Sequence, residues 1–195
     1  MTRRFLLIPG INQDLGSVAG WAATLCRHIE KRQLGFAECF EYAVNAFDQG
    51  IWAAKHTNQV ATILSEWVNP GEEVVTFTHS HGCGLILDAL LAHPGLGVYH
   101  MVLLAAAAPA DYARHLNTLV NRGQVRKVDV WYSANDTALK LAPLVGMGQL
   151  GLVGPKNMNP EARARTLARD HGGDHSDMLR GDGWADRLLD TITEK

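Results

Sequence analysis

Ser80 stands between His79 and His81 at the tip of the apolar, β-branched run Val74-Val75-Thr76-Phe77, and Gly82-Cys83-Gly84 leads at once into an apolar segment from Leu85 to Leu91. A strand that passes directly into a helix leaves no space for an ordinary loop. Ser80 must then occupy a sharp turn with unusual backbone angles, and small neighbours are needed where helix and strand nearly touch; Gly82 and Gly84 are expected to be those neighbours. A hydroxyl held there lies at the positive end of the following helix, where a nucleophile is useful. Serine is a poor nucleophile at neutral pH, so it needs a histidine base, itself oriented by a carboxylate. The chain offers Asp136 just after Val130-Trp131-Tyr132, and His175 within Gly172-Gly173-Asp174-His175-Ser176-Asp177. Each has a plainer reading: Asp136 as the cap of a following helix, and His175 as one polar residue of a glycine-rich loop.

These side chains are far apart in sequence, so the elements between them must bring them together. Phe5 to Ile8 reads as a first strand, with Pro9-Gly10-Ile11-Asn12 as the loop at its carboxyl end. Val18, Trp21, Leu25 and Ile29 recur at helical spacing over residues 17–32. Residues 36–44 suit an edge strand, residues 52–67 a helix stopped by Asn69-Pro70-Gly71, and residues 99–105 a strand. A short helix over 112–121, a strand over 125–132, a weak last strand over 163–168 and a closing helix over 184–192 complete the order. Residues 137–162, rich in Gly and Pro, read as a long surface excursion with a short helix. Alternating strands and helices predict an α/β fold: a doubly wound, mostly parallel six-stranded sheet with helices on both faces. Function in such sheets gathers at the carboxyl ends of the strands, which selects loops 9–14, 79–82, 106–112, 133–137 and 170–177.

Composition narrows the rest. The chain has 195 residues, 47% of them hydrophobic, with no internal repeat or linker, and reads as one domain over 1–195. A formal net charge of -2 without basic runs argues against nucleic acid as a partner. No apolar run approaches the roughly 18 to 20 residues that span a bilayer. The apolar stretch after Arg3 and Arg4 is too short for a secretion signal, and Cys26, Cys39 and Cys83 read as reduced thiols, so the expected compartment is cytoplasmic.

Thr78-His79-Ser80-His81-Gly82 resembles the nucleophile elbow of the α/β-hydrolase family, G-x-S-x-G, with Thr78 where the first glycine usually stands. The order Ser80, Asp136, His175 is the family's own order of nucleophile, acid and base. The resemblance therefore implies strand order 2-1-3-4-5-6 and a catalytic triad of these residues, with the two glycines of the histidine loop letting that ring swing over the serine. Asp111 is a rival acid and His171 a rival base. Oxyanion donors would be the backbone N–H groups of His81 and Ile11, the second from a segment in which Pro9 replaces the usual histidine. Gly10, Asn12 and His79 would line the substrate, with Trp21 behind. Since about 20 residues separate Ala105 from Val125, there is space for one helix and none for a cap domain, which leaves the site open. The apolar stretch Leu139 to Val153 would either wall the site for an acyl chain or pad the core.

The implied activity is hydrolysis of a small-molecule carboxylic ester or thioester through an acyl-serine, without cofactor. Acyl transfer and amide cleavage would use the same parts, and a non-catalytic binding protein could keep the fold. Asp170, His171, Asp174, His175 and Asp177 also have the types and spacing of zinc or manganese ligands, although none is assigned to a metal.

Overall fold

A computed structural model describes residues 2–10, 19–40, 42, 49–67, 72–108, 112–145 and 148–193. Its strands are β1 (Thr2–Ile8), β2 (Phe36–Cys39), β3 (Glu72–His79), β4 (Val98–Leu104), β5 (Val125–Tyr132) and β6 (Thr166–Asp170). All neighbouring pairs run parallel, in the order β2-β1-β3-β4-β5-β6. The expected order is therefore found, with the elbow strand β3 near the middle and β2 at an edge.

Side chains alternate across the sheet and feed two cores. Phe5, Leu7, Val75, Phe77, Val102 and Leu104 pack with α1 (Ala19–Lys31) and α8 (Trp184–Thr193). Leu6, Ile8, Val74, Met101, Leu103, Val128 and Val130 pack on the opposite face. That face is covered by α2 (Gln49–Trp67), α3 (Gly82–Ala92) and α4 (Ala113–Asn121). Strands buried on both faces read as nearly unbroken apolar runs, as β3 and β4 do.

The segment after β5 differs from its expected form. Instead of a surface excursion with one short helix it holds α5 (Thr137–Leu141), α6 (Leu150–Val153) and α7 (Pro160–Arg165), and it buries Leu139, Ala142, Leu150 and Ala162. Those side chains fill core, while Leu141 and Leu144 stay exposed. The last strand begins three residues later than expected because residues 160–165 are helical: the Asn159 side chain accepts from the Ala162 N–H at 2.8 Å, and Pro160 sits at the first helical position. Among the described residues no helix is long and apolar enough to cross a membrane. The cysteines form no disulfide, and burial pushes the Cys83 thiol up to about 12.

Candidate active site

β3 ends at His79 and α3 starts at Gly82, so Ser80 takes the whole change of direction and adopts φ 53°. This left-handed conformation is costly for a residue with a Cβ and persists only where surrounding contacts enforce it. Here the Ser80 N–H donates to the Leu104 carbonyl at 2.9 Å, while the Ser80 carbonyl accepts from Cys83 and Ala107, each at 3.1 Å. Gly82 fits the expectation of close approach: a Cβ there would lie 2.4 Å from the carbonyl oxygens of Ile8 and Pro9. Gly84 does not, since a Cβ at that position would meet nothing within 4 Å. Thr78 is accommodated because its hydroxyl faces α3 and β4, contacting Cys83 Sγ and the Val102 carbonyl at 3.2 Å each.

The candidate acid and the candidate base meet. His175 Nδ1 lies 2.8 Å from Asp136 Oδ2. The plainer reading of Asp136 also holds, on its other oxygen: Oδ1 accepts from the Leu139 N–H at 2.8 Å and caps α5. A fully buried carboxylate thus anchors a helix and orients a ring. His171 is placed differently. Its backbone N–H extends the β5–β6 pairing by bonding the Tyr132 carbonyl, and its Nδ1 accepts from the Gly173 N–H at 3.3 Å.

Besides the His175–Asp136 bond, the histidine loop is tied to its surroundings at three points. Asn135 Nδ2 donates to the Gly172 carbonyl at 2.9 Å. Asp174 Oδ1 accepts from the N–H groups of Thr137 and His175, at 2.7 and 2.9 Å, and these bonds hold its carboxyl below the ordinary carboxylate range. The third tie is His79, which is 2% exposed: its Nε2 donates to the His175 carbonyl at 3.1 Å, and the two rings lie 4.8 Å apart. Trp21 packs edge-on against the His79 ring at 6.3 Å. Burial is the main reason the His79 ring is pushed down to about 3, so it stays neutral at ordinary pH. Expected to line the substrate, His79 has described contacts with the histidine loop and α1, and its Nδ1 faces Gly10.

Gly10 faces Ser80, a Cβ on it falling 2.9 Å from Ser80 Cβ. Ile11, Asn12 and the rival acid Asp111 lie outside the described residues. His81 follows Ser80, and burial lowers its ring's proton affinity. One contact partner went unrecognised in the sequence: Tyr42, beyond β2, donates its hydroxyl to the Pro9 carbonyl at 2.7 Å and lies 3.5 Å from His81 Nδ1. Among the described residues no group of three or more His, Cys, Asp or Glu is arranged to hold a metal ion. The Asp170, Asp174 and Asp177 carboxylates are engaged instead with backbone N–H groups of their own and the neighbouring loop. No hydrogen bond joins the Ser80 hydroxyl to a described residue.

No family model matches the chain, and no curated protein matches it in sequence. Solved structures do. An uncharacterized protein from Bacillus cereus is similar with a TM-score of 0.64 at 13% identity, over 98% of this chain and 59% of that one. Alpha/beta hydrolase domain-containing protein 10 from mouse gives 0.58 at 16% identity, over 97% and 88%. The type II thioesterase BorB from the borrelidin biosynthetic cluster gives 0.53 at 15% identity, over 99% and 92%. With the parallel six-stranded sheet and its helices on both sides, these likenesses establish the fold: the chain has the α/β-hydrolase fold.

Proposed function

We propose that the chain is a serine hydrolase that cleaves a carboxylic ester or thioester through an acyl-serine intermediate, with Ser80 as nucleophile, His175 as base and Asp136 as acid. The observation that carries this reading is the 2.8 Å bond between His175 and Asp136 at the strand ends where Ser80 is held at φ 53°. Asp136 fixes the ring with its proton on Nδ1, which leaves Nε2 free to take the serine proton. The freed oxygen attacks the carbonyl carbon. The oxyanion formed is stabilised by the backbone N–H of His81 and, from the first loop, that of Ile11. The imidazolium then returns its proton to the departing alcohol or thiol, and water repeats the sequence to release the acid. The Ser80 hydroxyl must come within hydrogen-bond reach of Nε2, a contact that commonly tightens when substrate binds.

Thioesters are included because the fold is shared with type II thioesterases. Gly10 would leave space for the substrate carbonyl next to Ser80. The same parts would serve acyl transfer or amide cleavage, and product analysis separates these. The mechanism calls on no cofactor. Ser80→Ala should remove turnover of a short p-nitrophenyl ester and labelling by a fluorophosphonate while leaving the fold intact. Unchanged turnover in that variant would refute the reading. Esters and thioesters of graded chain length, run in parallel, would identify the acyl group and the leaving group.

A further inference from the structure

The contacts of Tyr42 bring together two segments: the first loop, through the Pro9 carbonyl at 2.7 Å, and the residue after Ser80, through His81 Nδ1 at 3.5 Å. On the hydrolase reading, on which this inference rests, these are the segments that supply the oxyanion donors. We propose that Tyr42 is a positioning residue for transition-state stabilisation, its hydroxyl fixing the Pro9–Gly10 peptide against the elbow.

The geometry around that peptide leaves it few alternatives. A peptide unit is planar, so holding the Pro9 carbonyl also sets the direction of the Gly10 N–H on the opposite side. The Pro9 oxygen lies so close to α3 that a Cβ at Gly82 would be 2.4 Å from it. Gly10 in turn faces Ser80, with a hypothetical Cβ 2.9 Å from Ser80 Cβ. The loop therefore leaves β1 with one face on α3 and the other toward the nucleophile, and the Tyr42 hydroxyl is the side-chain donor that holds this orientation. A phenol has one proton to give. Given to Pro9, it leaves the oxygen as an acceptor for His81 when that ring carries its proton on Nδ1. The hydroxyl keeps its proton across the working range, because burial raises it well above the ordinary phenol value. Tyr42 is placed by packing as well as by its hydroxyl: its ring stacks on Phe40 at 5.5 Å and lies 5.2 Å from the His56 ring. Phenylalanine would keep that packing and lose the bond alone.

The experiment compares the full-length wild type with Tyr42→Phe. Each is measured for kcat and KM on p-nitrophenyl acetate, for inhibition by an alkyl boronic acid, which forms a tetrahedral adduct on the serine, and for thermal midpoint. Loss of alignment costs most where charge develops, so kcat should fall at least about tenfold with KM within twofold. Boronate affinity should weaken by the same factor, and the thermal midpoint should stay near the wild-type value. Unchanged kcat, or a loss confined to KM with boronate affinity intact, would overturn the proposal. If Tyr42→Phe does not fold, Tyr42→Met, which fills similar space without a hydroxyl, takes its place with the same readouts. Wild-type protein that resists fluorophosphonate labelling would defeat the hydrolase reading and this inference together. A labelled wild type with an unimpaired Tyr42→Phe would defeat this inference alone.

Discussion

Asp136 shows how one side chain can serve two ends that mutation can separate. Its oxygens divide the work, Oδ1 capping α5 and Oδ2 holding His175. Asp136→Asn keeps an acceptor for the cap but loses the charge that supports an imidazolium; ester turnover should fall by about 10⁴ with little change in urea stability. Asp136→Ala should add about 1 kcal/mol of destabilisation for the lost cap. Equal stability losses in the two variants would argue against this division, and a normal rate in Asp136→Asn would remove Asp136 from the triad. His79 makes a separate prediction about acid. Its ordinary value is 6.5, and in the fold it is held at about 3. Above 6.5 neither state carries the proton and nothing is lost. Between 6.5 and 3 the unfolded chain takes up a proton that the folded chain refuses, so stability falls as pH falls, by about 1.4 kcal/mol per pH unit. Urea unfolding at pH 7 and pH 5 should show wild type losing about 2 kcal/mol more than His79→Asn. Parallel losses would assign the acid sensitivity to other groups.

The elbow glycines test how strand and helix meet. Gly82→Ala places a methyl group against two backbone carbonyls that cannot move without shifting β1, and should cost about 2 kcal/mol or more. Gly84→Ala enters open space inside α3 and should gain up to about 1 kcal/mol from improved helix propensity. Urea titration of the two variants checks both signs at once. In the sequence the two glycines look alike, because motif spacing does not reveal which residue the neighbouring strand overhangs. The helix over 160–165 was legible in principle: Asn159 followed by Pro160 is a start signal, obscured by reading the apolar character of the preceding stretch as an excursion. Tyr42 was not legible. Its role depends on a carbonyl 33 residues earlier in the chain, and a lone tyrosine near an edge strand carries no pattern.

At the scale of the molecule, the alternation of strands and helices could be read because hydrophobic runs and turn residues are local signals, and parallel crossovers leave few topologies; the strand order itself came from the resemblance to the α/β-hydrolase family. The same rule selected the candidate loops, since parallel strands deliver all their carboxyl ends to one rim. Loops 79–82, 133–137 and 170–177 do lie together there, through contacts among His79, His175, Asp136, Asp174 and Thr137. What sequence could not convey is which oxygen or nitrogen each loop would use to bind the next. The Asp174 carboxylate, an exposed residue in a polar loop, is spent on two backbone N–H groups from different loops. Asp174→Ala should lower kcat several-fold while leaving the global unfolding midpoint unchanged; an unaffected kcat would show that the tie is dispensable.

Those ties also bear on how a substrate could enter. Two glycines at 172 and 173 were expected to let the histidine swing, yet the segment is fastened by Asn135, Asp174 and His79 to a turn, a helix start and the central strand. A flap bolted along three sides behaves as a wall. Admission and release would then proceed without it, and the amide protons of residues 172–177 should exchange with solvent as a single cooperative block rather than peel away one after another.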